Sequence, residues 1–235
     1  MSLLSAKEVR HLSLGFPVLD NVFSGFELGD FVVLYGWAVS FVCLMLSVRS
    51  QTERNKGGLD SSTVFIDGGN LFSPYSVAEI ARSYGLDSRR ILERTYVSRA
   101  FTTYQLSSLI FEKLETFLRR KRSKLLIVSD IASLFVDKDI PETESKDLFL
   151  KLCTKLSAIA AKRTLIVVAS HRLGRESNRV GFLEAVLFGK SNILVRLERK
   201  GKILRFALED HPRVKCFAAD FPVADYASSH GFMEV

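Results

Sequence analysis

The chain has 235 residues, of which 47% are hydrophobic and 25% charged, and carries a formal net charge of +7. These proportions suit one folded α/β domain with a sizeable core and exclude an intrinsically disordered chain. The positive balance favours polyanionic partners, while the longest apolar stretch, Phe31 to Val48, is broken by Gly36 and Ser40 and so excludes a plain membrane span.

In chain order, Phe31–Tyr35 reads as a buried strand and Phe41–Arg49 as the helix after it. Gln51–Ser62 reads as an exposed connection, Val64–Asp67 as a strand, Tyr75–Tyr84 as a helix and Thr95–Val97 as a strand. Tyr104–Lys121 places Leu106, Leu109, Ile110, Leu114 and Phe117 at the spacing of an amphipathic helix. Leu125–Val128 is a further strand, Asp137–Asp147 a polar loop, Lys151–Ala161 a helix and Thr164–Ala169 a strand. Ile193–Glu198 and Ile203–Glu209 flank a turn at Gly201, which predicts a hairpin at the sheet edge. Alternating strands and helices imply a mostly parallel sheet covered on both faces. The core is expected over residues 1–215, with a tail over 216–235.

The segment from Val33 to Cys43 lies where a phosphate-binding loop, G-x-x-x-x-G-K-[ST], would join strand to helix. That loop needs glycines so that backbone N–H groups can surround phosphates, a lysine for the outer phosphates, and a hydroxyl for Mg²⁺. Laid on the pattern, Gly36 keeps the first glycine, while Phe41, Val42 and Cys43 replace the second glycine, the lysine and the hydroxyl residue.

Four stretches resemble the ATPase core of the RecA family, most closely the archaeal RadA and RadB recombinases. Leu12–Asp20 with Ser24-Gly25 and Gly29-Asp30 resembles the entry to the family's phosphate-loop strand. Val64–Pro74 is similar to the family's "YIDTEGTFRP", Ile80–Asp87 with Tyr96–Phe101 to the helix and strand after it, and Lys124–Val128 with Thr164–Ala169 to the next two strands. The resemblance spans roughly residues 10–215 and implies a RecA-like phosphate-loop NTPase fold. The helical domain that precedes the core in RadA, and the linker with its Phe-x-x-Ala subunit-joining motif, have no counterpart in it. The usual filament is therefore not assumed, although an oligomer is possible.

Several residues depart from the family pattern. Asp67 persists, but the water-activating glutamate falls on Gly69. The acidic residue that organises Mg²⁺ falls on Ser129, with Asp130 one place later. The polar pair that senses the γ-phosphate is Ser170-His171. These losses predict a pseudo-ATPase with no cofactor, neither ATP nor Mg²⁺. The alternatives are an atypical ATPase using Ser40, Asp67 and Asp130, or a RecA-like regulator of clock type outside DNA repair. Trp37 and Phe41 are expected to pack into the vacated pocket, and His171 reads as a polar loop residue.

Two basic groups stand out. Arg119–Lys124 reads most simply as a solvated helix end whose cations suit the C-terminal dipole. Arg172, Arg175 and Arg179 follow a strand after which the family contacts single-stranded DNA, which makes them the candidate DNA-binding group. In the tail, Phe221, Ala224 and Asp225 have the form Phe-x-x-Ala-Asp, similar to the segment by which one recombinase subunit plugs into the next. Phe221 could equally fold back on the chain's own sheet. Cys43, Cys153 and Cys216 are scattered and odd in number, no metal-ligand spacing occurs, and the N-terminus lacks the order of a signal peptide. A cytoplasmic accessory to homologous recombination, binding a RadA-type recombinase or single-stranded DNA and no membrane, is the expectation.

Overall fold

The computed structural model describes residues 11–162, 164–172 and 177–222. Strand β1 (His11–Leu12), helix α1 (Pro17–Asp20) and strand β2 (Phe26–Glu27) lead into β3 (Phe31–Gly36) and α2 (Val39–Arg49). After them come β4 (Thr63–Asp67), α3 (Pro74–Ser83), α4 (Ser88–Glu93), β5 (Thr95–Arg99), α5 (Thr103–Ser108), α6 (Leu114–Lys121) and β6 (Leu125–Ser129). The remaining elements are α7 (Glu142–Ala161), β7 (Ile166–His171), α8 (Asn178–Lys190), β8 (Ile193–Lys200), β9 (Ile203–Asp210) and β10 (Phe217–Pro222).

Eight strands form one sheet in the order β10-β9-β8-β3-β7-β6-β4-β5, parallel from β8 to β5 and antiparallel at β9 and β10. Successive side chains point to opposite faces. Val32, Leu34, Phe65, Ile127 and Val168 therefore join α2, α3 and α4 in one core. Phe31, Val33, Val64, Ile66, Val128 and Val167 join α6, α7 and α8 in the other. Helix α2 is buried on nearly its whole circumference, as an apolar helix with no polar stripe must be. Among the described residues no helix is long and apolar enough to cross a membrane.

The expected α/β architecture is present, with five local differences. The polar stretch read as a loop over 137–147 becomes helix α7 from Glu142, because Pro141 suits a helix start and Glu142 and Glu144 favour its first turn. Helix α8 was not foreseen. Ser177 caps it by accepting from Val180 N, and Leu183 and Leu187 bury one side. The helix over 103–121 is interrupted by a π-helical turn at Leu109–Lys113. The connection over 51–62 is half-buried, because Leu59 N and Ser61 N donate to Ser50 O and Leu59 is wholly enclosed. Finally, residues 217–222 pair with β9 from Phe217↔Leu208 to Pro222↔Ile203, so the β8–β9 hairpin is not at the edge and the division at 216 does not mark the end of the sheet. Pro222 is tolerated there because an edge strand has one side with no partner for an N–H.

Candidate functional site

The C-terminal ends of β3, β4, β6 and β7 meet at one pole of the sheet, where open α/β sheets bind ligands. At the end of β3, Gly36 has φ +100°, and a Cβ there would meet Leu197 O at 2.4 Å. Trp37 N donates to the same oxygen at 2.7 Å. The strand end is thus pinned to β8, and helix α2 starts at Val39, leaving Trp37 and Ala38 as the connection. Val39, Ser40 and Phe41, which the phosphate-loop pattern would place in a loop, are helical. Val42 is 1% exposed. Cys43 is fully buried, and burial pushes its thiol up to about 12 against the opposing hydroxyl of Ser170. Phe41 is a core residue that packs among Phe16, Met45, Ile80 and Tyr84, between α2 and α3. Trp37 differs: it is 36% exposed, and the Arg199 guanidinium lies 4.6 Å above its ring, because a two-residue connection leaves the indole outside.

Asp67 closes β4 and is fully buried. Its Oδ1 accepts from Leu71 N at 2.9 Å and Ser129 Oγ at 2.8 Å, and its Oδ2 from Phe72 N at 3.0 Å and Arg99 Nε at 3.2 Å. Four donors saturate a carboxylate that can accept about four bonds. Its visible role is to fold the loop over 68–72 back onto the sheet.

A Cβ on Gly69 would stand 2.6 Å from the Cβ of Asp130 and 2.8 Å from its Oδ2. Asp130 therefore fills the space into which a side chain at 69 would project. Its backbone is left-handed, φ +47°, which turns the side chain out of the alternation of β6. The Asp130 N–H donates to Ser170 Oγ at 3.0 Å, and Oδ2 accepts from Arg172 Nε at 3.1 Å and Nη2 at 2.9 Å. Arg172 remains 45% exposed, yet its guanidinium is committed to this carboxylate.

Of the other arginines expected to face DNA, Arg179 sits in the first turn of α8, donates from Nη2 to Ile140 O at 3.3 Å, and is half-buried. Arg175 lies outside the described residues. Each described member of the arginine group thus holds an acceptor on a neighbouring segment, Arg179 half-buried and Arg172 still exposed. His171 is the last residue of β7 and 5% exposed, so it is no loop residue. Its Nε2 lies 2.9 Å from Glu184 Oε1 of α8, and its Nδ1 has no partner among the described residues.

Phe221 is 4% exposed and packs on Phe16 with ring centroids 4.4 Å apart. Of the two readings of this segment, the structure carries the fold-back for Phe221: pairing on β9 turns its side chain onto the α2 side of the sheet. Ala224 and Asp225 lie outside the described residues.

Sequence reasoning missed a cleft at the opposite edge. Strand β5 ends the sheet there, with Val97, Ser98 and Arg99 exposed and no strand beyond it among the described residues. Beside it a cavity of about 400 Å³ is lined by Val64, Ile66, Ser98, Leu109, Lys113 and Phe117. The signal was the pair Val64 and Ile66 on one face of β4, but only the sheet order shows that β5 is an edge.

The comparison with known families agrees with this architecture: the model of the family described as Rad51 matches residues 5–173.

Proposed function

Because the chain belongs to the Rad51 family, we propose that it is a non-catalytic member, accessory to homologous recombination and DNA repair, that works by binding an active recombinase. The carrying observation is that the groups suited to Mg²⁺-ATP are spent on the protein itself. Asp67 has four internal donors, Asp130 is held by Arg172, and Val42 stands buried where a lysine would act. Phosphoryl transfer depends on such groups for positioning and charge stabilisation. Removing one electrostatic contact of this kind typically costs about 10²–10³ in rate. The residues present do not suit Mg²⁺-ATP.

The surface assigned to the recombinase is the open edge of β5 with the cleft beneath. An edge strand offers backbone N–H and C=O groups to an added strand, and an adjacent apolar cavity takes an anchoring side chain. Single-stranded DNA remains a second ligand of this reading, but the loop after β7 would engage phosphate through Arg172 only by releasing Asp130.

Two measurements test the proposal. Calorimetric titration with Mg²⁺-ATP into the millimolar range should give no heat and no melting shift. A ligand at a hundredfold its dissociation constant would add about 2.7 kcal/mol of stability, and such a gain would restore the reading of an atypical ATPase built on Ser40, Asp67 and Asp130. Ser98→Arg, which pushes a long cation into the cleft, should abolish capture of a RadA-type recombinase while melting as the wild type does. Undiminished capture would remove the β5 edge from the proposal.

A further inference from the structure

The N-terminal ends of the parallel strands, at the pole opposite Asp67 and Asp130, gather the chain's excess positive charge. Segment 119–124, at the end of α6, holds five cations and no acid, and segment 88–94 holds Arg89, Arg90 and Arg94 against Glu93. Together these two short segments equal the whole formal net charge of +7. The fold sets them side by side. Thr63 is in register with both Thr95 and Leu125, so the residues before β5 and β6 flank the start of β4. Lys121 Nζ lies 4.1 Å above the Tyr96 ring, which draws the end of α6 against the start of β5.

Few carboxylates answer this charge. Arg89 pairs with Glu93 at 3.1 Å and Arg94 with Asp60 at 3.9 Å. Arg90, Arg119, Arg120, Lys121 and Arg122 have no carboxylate within ion-pair distance among the described residues. A helix end gains from one or two cations in its last turn, so the dipole alone does not call for this many. Arg122 sharpens the point: it ends α6 with φ +50°, a left-handed position that glycine or asparagine fills with least strain, yet an arginine stands there exposed.

We propose that this pole is a binding surface for the phosphate backbone of duplex DNA. It is separate from the site at the strands' C-terminal ends, adjoins the β5 cleft at Phe117 and Arg120, and does not rest on the recombinase reading above. Single-strand binders present aromatic faces on which bases stack. Here the two aromatic rings of the surface are already covered, Tyr96 by Lys121 and Phe117 by Arg120 at 5.3 Å. The same covering withholds the apolar anchor that a membrane-surface site would need. What the surface offers is the exposed guanidinium groups of Arg90, Arg119, Arg120 and Arg122, which suit phosphates without regard to sequence.

The test is fluorescence anisotropy of a short labelled duplex of arbitrary sequence, with the full chain, from about 50 to about 200 mM salt. Each phosphate contact contributes about 0.9 to the slope of log K against log salt. The variant Arg90→Gln/Arg119→Gln/Arg122→Asn, which leaves the cleft lining untouched, should lower that slope by about 2.7. Arg122→Gly keeps the left-handed backbone, so it should fold at least as well as the wild type and lower the slope by about 0.9. Arg172→Gln, at the other pole, should leave the slope unchanged. The proposal is overturned if the wild type does not bind duplex, if the slope survives in both basic variants while they remain folded, if only Arg172→Gln lowers it, or if single strands or anionic vesicles bind in preference.

Discussion

Replacing Phe221 by alanine deletes a ring that is 4% exposed, lies 4.4 Å from the Phe16 ring, and sits directly opposite Leu204 on β9. A buried phenylalanine cut to alanine costs about 3–5 kcal/mol, part of it from lost transfer energy and part from the cavity left behind. Strand β10 is an edge element and can settle inward over the gap, which places the loss near the lower end, about 3 kcal/mol. For a chain of this size each kcal/mol moves Tm by about 2–4 °C, so the midpoint should fall by about 6–12 °C. Phe221→Leu keeps most of the apolar volume and should lose less than about half as much. Urea melts followed by circular dichroism give the comparison, and an unchanged m-value certifies that only stability has moved. If Phe221→Ala instead melts as the wild type does and loses recombinase capture, the ring faces outward as a plug and the packing argument fails.

Three further outcomes follow from the site and its supports. Gly69→Ala drives a Cβ to 2.6 Å from that of Asp130 and should cost about 1–3 kcal/mol of overpacking; adding Asp130→Gly, which removes the clash and suits φ +47°, should recover about 1 kcal/mol or more in a double-mutant cycle. Strict additivity in that cycle would show that Asp130 does not occupy the space beside position 69. Val42→Lys restores the lysine of the phosphate-loop pattern but buries an ammonium in α2, so it should lose several kcal/mol and gain no Mg²⁺-ATP binding. Calorimetric binding by a well-folded Val42→Lys protein would contradict the short connection seen between β3 and α2. Glu115 joins α6 to α7 through Lys155 and Lys162, and the hydrogen bonds from these two lysines hold its carboxyl at about 2 in place of the usual 4.5. A lowered folded-state value means that its stabilisation is complete above the unfolded value and fades as pH falls from about 4.5 towards about 2. Melting temperatures across that window should decline less steeply in Glu115→Gln, and equal slopes would show the pair contributes nothing.

Much of the architecture was legible in the residues. The unbroken apolar runs in Phe31–Tyr35 and Leu125–Val128 mark strands buried on both faces, and the three- and four-residue spacing in Tyr104–Lys121 marks a helix with one buried side. Boundaries were less legible where polar side chains bond locally. Ser177 and Asp87 cap helices α8 and α4, two elements that apolar periodicity alone does not mark. The π-helical turn at Leu109–Lys113 keeps an ordinary apolar spacing and leaves no mark in the sequence.

The identities of Phe41, Val42 and Cys43 already put no second glycine, lysine or hydroxyl at those places of the phosphate-loop pattern, and Gly69 puts no carboxylate at its place in the Val64–Pro74 stretch. Where the remaining charges went is a matter of tertiary structure. Asp130 reaches Arg172 only because a left-handed turn swings it off β6, and Arg172 is 42 residues away in the chain. Phe221 could plug a partner or line its own core, and the choice rests on whether β9 offers a paired edge beside Phe16. The basic run at 119–124 looks by itself like an ordinary solvated helix end, and the arginines of 88–94 are scattered along a short helix. They become one surface because parallel strands all begin at the same pole, a juxtaposition that no local pattern encodes.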